Sequence, residues 1–81
     1  MTDYADLTRF MTERIVADKE AVEIDVQPRG RSTIIRLNVG DADMGKVIGK
    51  NGRNIEALRA VVRAAGLRHH ERVQVELKDK R

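Results

Sequence analysis

The chain has no cysteine and no tryptophan, one proline, and two aromatic residues, Tyr4 and Phe10. Without cysteine, neither disulfides nor thiolate–metal staples can hold the fold, which fits a reducing cytosol and a cytoplasmic location. No run approaches the roughly 20 apolar residues that span a bilayer. The opening MTDYADLTRF carries acids where a secretory leader has a basic stretch followed by an apolar one. Neither membrane insertion nor secretion is expected. The 81 residues suffice for one domain and not two. A core this small leaves little volume for an enclosed active site.

What is present is charge, unevenly placed. Residues 1–25 hold seven acids and three bases, a balance of −4; residues 26–81 hold 13 bases and six acids, a balance of +7. The later part of the chain therefore favours a polyanionic partner, although a solvated surface of mixed charge has the same composition.

Hydrophobic periodicity orders the elements. Tyr4, Leu7, Met11 and Ile15, joined by Phe10, mark one face of a helix over 4–17, with Thr2 or Asp3 as its cap. Val22, Ile24 and Val26 alternate with Glu23, Asp25 and Gln27, as in a half-buried strand over 22–27. Pro28 to Ser32 has turn chemistry. Thr33, Ile35, Leu37 and Val39 then share a strand face, completing a hairpin. Asp41 is a candidate cap for a short helix over 42–48 that ends at Gly49. A longer helix from about Arg53 to Ala65 carries Ile55, Leu58, Val61, Val62 and Ala65 on one face, with Gly66 as its stop. Val73, Val75 and Leu77 point inward from a last strand over 72–78. All three strands are apolar on one face only. The pattern predicts a two-layer α+β domain in the order α-β-β-α-α-β, with helices on one side of a three-stranded sheet.

The stretch from Met44 to Ile55 carries the chemistry. Two helices meet at Gly49-Lys50-Asn51-Gly52, where glycines permit positive φ and close approach of another backbone. The second helix directs its unpaired amides and positive dipole end at that corner. Lys46, Lys50 and Arg53 surround it with cations, and no acid lies between Met44 and Ile55. Val47, Ile48, Ile55 and Leu58 supply apolar side chains nearby. Ile55 and Leu58 read as core rather than as base contacts. Lys46 and Arg53 each fit a phosphate contact and a plain solubility role equally well. A glycine-x-x-glycine alone also fits an ordinary helix–turn–helix corner.

The run Val47-Ile48-Gly49-Lys50-Asn51-Gly52-Arg53-Asn54-Ile55 resembles the VIGxxGxxI core of KH domains, and the element order resembles their bacterial, type II form. The resemblance covers nearly the whole chain as a single KH domain over 1–81. It is nearest the small KhpA-like (YlqC-like) bacterial proteins. That resemblance implies binding of single-stranded RNA, about four nucleotides per domain, in the service of RNA chaperoning or post-transcriptional regulation. It also implies a homodimer, or a complex with a larger KhpB-like (Jag-type) RNA-binding protein. By position, Gly49 and Gly52 shape the clamp, Lys50 and Asn51 sit at its tip, and Val47, Ile48 and Ile55 line or support the groove. Arg29 and Arg31, in the hairpin turn, are auxiliary phosphate contacts.

Competing chemistries fit less well. Gly40-Asp41-Ala42-Asp43-Met44-Gly45-Lys46-Val47 resembles a P-loop but has Val47 where Ser or Thr must hold Mg²⁺. A dinucleotide fingerprint lacks its middle glycine, since that position is Val47. Asp41-Ala42-Asp43 opens like a calcium loop whose twelfth position is Gly52 rather than Glu. His69-His70 has no cysteine or carboxylate set beside it and reads as loop. No metal, cofactor or catalytic constellation is expected. The two aromatics, both placed in the core by the helix pattern, leave no stacking platform of the RRM or OB kind. The alternative of another class is a KH-fold protein-interaction or dimerisation module.

Overall fold

The computed structural model describes residues 4–78. Helix α1 spans Tyr4–Glu13, strands β1 and β2 span Glu23–Arg29 and Ser32–Asn38, helices α2 and α3 span Met44–Ile48 and Arg53–Arg68, and strand β3 spans Arg72–Leu77. The predicted order holds. The candidate caps Thr2 and Asp3 lie outside the described residues.

The sheet runs β1-β2-β3, with β1 antiparallel and β3 parallel to the central β2. Ile35, Leu37 and Val39 alternate along one face of β2 and are at most 1% exposed, so they anchor the core. Burying such aliphatic side chains contributes about 1.5–3 kcal/mol each. Val73 and Val75 from β3, and Ile55, Leu58 and Val62 from α3, close over them.

The strand β1 runs further than its apolar alternation. It continues through Pro28, which pairs with Thr33, and Arg29, which pairs with Ser32, leaving only Gly30-Arg31 as the turn. Proline lacks the ladder donor, yet it is tolerated because β1 is an edge strand. Gly30 supplies the positive φ of +61°. The other edge is guarded at Val75, whose carbonyl accepts a 3.1 Å hydrogen bond from Arg59 Nε.

Three side chains expected in the core are placed otherwise, and so is one expected helix stop. Phe10 is 57% exposed and lies under the Arg14 guanidinium at 4.7 Å. The buried stripe of α1 is instead Tyr4, Thr8 and Thr12. Each threonine hydroxyl donates to the carbonyl four residues back, at 2.8 and 2.7 Å, so both can be buried without an unsatisfied polar group. Val61 falls on the outer side of α3, and Val26 is exposed on β1, the strand farthest from α3. Gly66 does not stop α3. It is buried within the helix, where a Cβ would lie 2.8 Å from Val73 Cγ2 and 2.9 Å from the Glu71 carbonyl. Its absence of a side chain lets α3 close on β3. The helix ends in a hydrogen-bonded turn whose left-handed residue is His70, at φ +58°.

Candidate nucleic-acid interface

Gly49 ends α2 at φ +75°, ψ 174°, a conformation essentially confined to glycine. A Cβ there would sit 2.7 Å from Asn54 Cγ and 2.9 Å from the Asn54 amide nitrogen. Asn51 and Gly52 follow in the left-handed region, at φ 57° and 74°. Gly52 has nothing within 4 Å of its missing Cβ, so its requirement is conformational alone. Asparagine is among the few residues that accept the geometry of position 51.

The hydrogen bonds that fix this corner use the amides of Gly49, Gly52 and Arg53. They leave those of Lys50 and Asn51 without a partner among the described residues. The two amides, the first turn of α3 and the exposed Lys50, Asn51 and Arg53 side chains are therefore gathered at one surface. Such a surface attracts anions by dipole and by charge.

Two residues that the sequence motif does not mark hold the corner. The Asn54 side-chain amide donates to the Lys46 carbonyl at 2.8 Å, tying the end of α2 to the start of α3. Asn is a poor residue for a helix interior, and that is the signal that could have singled it out. Asp43, 2% exposed, accepts from the Ala17 amide through Oδ1 and the Asp18 amide through Oδ2, both at 3.0 Å. It fastens the loop after α1 to the start of α2. Asp41, the expected cap, instead opens a short 3-10 turn over Asp41–Asp43, and α2 begins only at Met44, after Asp43. The Asp18 and then the Ala17 hydrogen bond hold the Asp43 pKa below its ordinary value against the opposing effect of burial; Lys46 Nζ at 3.7 Å adds to the lowering.

The apolar residues of the motif divide. Val47 is fully buried and Ile55 is 7% exposed, so both support the corner from the core; Ile48 is half-buried beside the loop. Lys46 and Arg53 flank the loop and are exposed. Arg29 and Arg31 are elsewhere. α3 returns from the loop, antiparallel to β2 and β3, and delivers the chain to Arg72, the partner of Ser32. The hairpin turn thus lies at the opposite end of the sheet from Gly49–Gly52. The seven-residue β2 alone separates them by about 20 Å.

With this corner in place, the comparison with known proteins is decisive. The sequence profile of the KhpA/KhpB KH domain matches residues 5–77. The chain belongs to this family. It is similar to the RNA-binding protein KhpA of Caldanaerobacter subterraneus subsp. tengcongensis, 42% identical over 89% of this chain and 96% of the relative. KhpA of Bacillus subtilis is 35% identical over 98% of this chain and 100% of its own length. KhpA of Borreliella burgdorferi is 34% identical over 91% of this chain and 90% of its own. Among solved structures, Aquifex aeolicus Era bound to GDP·AlF4⁻ superposes with a TM-score of 0.60 at 19% identity. That match covers 91% of this chain but only 29% of Era. It shows the fold alone.

Proposed function

We propose that this KhpA-family chain binds single-stranded RNA by clamping its sugar-phosphate backbone at Gly49–Gly52. The observation that carries the reading is that the Lys50 and Asn51 amides have no partner among the described residues, at exposed residues of a positive-φ corner flanked by Lys46, Lys50 and Arg53. The relatives' description as RNA-binding proteins supports it. About four nucleotides fit one such clamp, with bases laid beside Ile48. No aromatic platform contributes, so phosphate contacts, base-edge hydrogen bonds and aliphatic packing supply the affinity. A single clamp of this kind binds on the order of micromolar, and tighter binding comes from joining a second RNA-binding unit. The biological role that suits such weak, general contact is RNA chaperoning or post-transcriptional regulation in the cytoplasm.

The test is Lys50→Asp with Asn51→Asp, which puts two carboxylates where phosphates would lie. Both side chains are exposed and aspartate tolerates the left-handed conformation, so the fold persists. RNA binding is lost. A folded double variant that binds RNA like the wild type contradicts the clamp.

A second reading, docking to another protein, draws on the exposed Phe10 and Val61 and on the shallow apolar groove between Met11 of α1, Ile15 just after it, and Ala57, Leu58 and Val61 of α3. A homodimer or a complex with a KhpB-like protein would cover this surface. A stable dimer that shifts no single-stranded RNA would favour this reading over the first.

A further inference from the structure

The sheet face turned away from the helices is organised in rows by the strand register. Glu23, Asn38 and Lys78 lie toward one end, followed by Asp25, Arg36 and Glu76. Acids lead in this half: Arg36 pairs with Glu76 at 3.6 Å, while among the described residues Glu23 and Asp25 accept only from neutral amides, Asn38 Nδ2 at 2.8 Å and Gln27 Nε2 at 2.9 Å. Next comes the neutral row Gln27, Ile34 and Gln74, in which Ile34 is only 4% exposed despite facing away from the helices. The last row, at the hairpin end, is Arg29, Ser32 and Arg72.

That last row differs in kind. Arg29 and Arg72 are both exposed, and no ion pair among the described residues engages either. They flank the Ser32 hydroxyl across two strand spacings, about 9.5 Å of backbone. Arg31 in the hairpin turn and Arg68 at the end of α3, toward the same end of the sheet, are exposed and in no ion pair among the described residues. The acid of the α3–β3 turn, Glu71, lies against the Tyr4 phenol, whose pKa is raised by burial first and by Glu71 second. It is in no ion pair with Arg29 or Arg72 among the described residues.

We propose that this hairpin-end arginine row is a second phosphate-binding surface, which holds a longer RNA single strand beyond the segment gripped at Gly49–Gly52. The proposal rests on the RNA-binding reading above. Guanidinium groups match phosphate geometry and are less strongly hydrated than lysine ammonium groups. The acids toward the other end of the face direct a polyanion to this end. The glutamine row offers side-chain amides and a low apolar floor to bases of the same strand. Because the clamp takes up about four nucleotides and the row stands about 20 Å beyond it, a strand of four or five nucleotides held in the clamp has none left to reach the row.

The experiment measures affinity of the full chain, by fluorescence anisotropy across a salt series, for an unstructured five-nucleotide RNA and an unstructured twenty-nucleotide RNA. Arg29→Ala with Arg72→Ala lowers affinity for the long RNA about tenfold and flattens its log–log salt slope by about 1.4, two contacts at about 0.7 each. It leaves the short RNA's affinity at the wild-type value. Arg9→Ala with Arg14→Ala removes the same charge from α1 and the residue after it and keeps the wild-type slope. Unchanged binding of the long RNA by the Arg29/Arg72 variant, or an equal fall in the Arg9/Arg14 control, overturns the second surface and leaves the clamp standing. Failure of the wild type to bind either RNA overturns both.

Discussion

Asn54 and Gly49 occupy each other's space: the Asn54 side chain, held by its hydrogen bond to the Lys46 carbonyl, fills the position a Cβ on residue 49 would need. The glycine at 49 therefore answers to two demands, and the glycine at 52 to one. The closed corner is the joint product of a backbone conformation and a side-chain tie across it.

Gly52→Ala should cost about 1–2 kcal/mol, the penalty of a left-handed alanine. Gly49→Ala should cost more, because the strained φ is joined by contacts of 2.7 and 2.9 Å with Asn54. Urea denaturation of the two variants gives the order directly. Equal losses would mean that Asn54 yields freely.

Asn54→Ala removes an exposed hydrogen bond worth about 0.5–1.5 kcal/mol. Its larger effect falls on the loop, since the end of α2 is no longer tied to α3. RNA affinity should drop by more than the stability change predicts for a rigid site. Hydrogen exchange at Gly49, Gly52 and Arg53, whose amides are hydrogen-bonded in the corner, faster in the variant than in the wild type while exchange in β2 is unaltered, would confirm the local origin.

Asp43 sets a pH dependence. Its folded pKa is depressed, so its stabilisation is present above the unfolded carboxyl value of about 3.9 and is lost as pH falls below it through the folded value. Asp43→Asn can accept from only one of the Ala17 and Asp18 amides comfortably, because its own amide faces the other donor. The variant should be less stable at neutral pH, and the gap should narrow as pH drops below about 4. Thermal melts of both proteins across pH 2–7 measure this, and a gap that stays constant would show that the charge is irrelevant.

Gly45 and Gly66 predict opposite outcomes for one substitution. Gly45 lies in α2 with nothing within 4 Å of its missing Cβ, so Gly45→Ala should stabilise by about 0.5–1 kcal/mol. Gly66→Ala gains the same helix propensity but drives a methyl into Val73 and the Glu71 carbonyl. Overpacking of that kind costs about 1–3 kcal/mol, and the net effect should be destabilising. Melting temperatures moving in opposite directions would bear this out.

The contrast at Gly66 shows what the sequence made legible and what it hid. Element order and the inward faces of β2 and β3 followed from periodicity, because Ile35, Leu37, Val73 and Val75 alternate without ambiguity. The glycine corner was legible for the same reason: residue type and spacing there restrict the backbone directly. Gly66 read as a stop because glycine ends helices and also permits close packing, and only the position of β3 distinguishes the two. Phe10, Val26 and Val61 read as core because apolar character does not reveal how far a helix layer extends over its sheet. Thr8 and Thr12 drew no attention in the sequence, because their back-bonding to the helix is invisible in composition. Arg29 and Arg31 joined the loop's cations in sequence-level charge, whereas the strand register carries them to the far end of the sheet.

The most direct measurement is an NMR titration of the full chain with mixed single-stranded oligoribonucleotides of about five nucleotides, following backbone amides. The account predicts that the largest shift changes fall at Lys50, Asn51 and Gly52 and spread to Ile48 and Arg53, with Val61 and Phe10 unmoved. Shift changes confined to α1 and the outer side of α3, or none near Asn51 at saturating RNA, would contradict it.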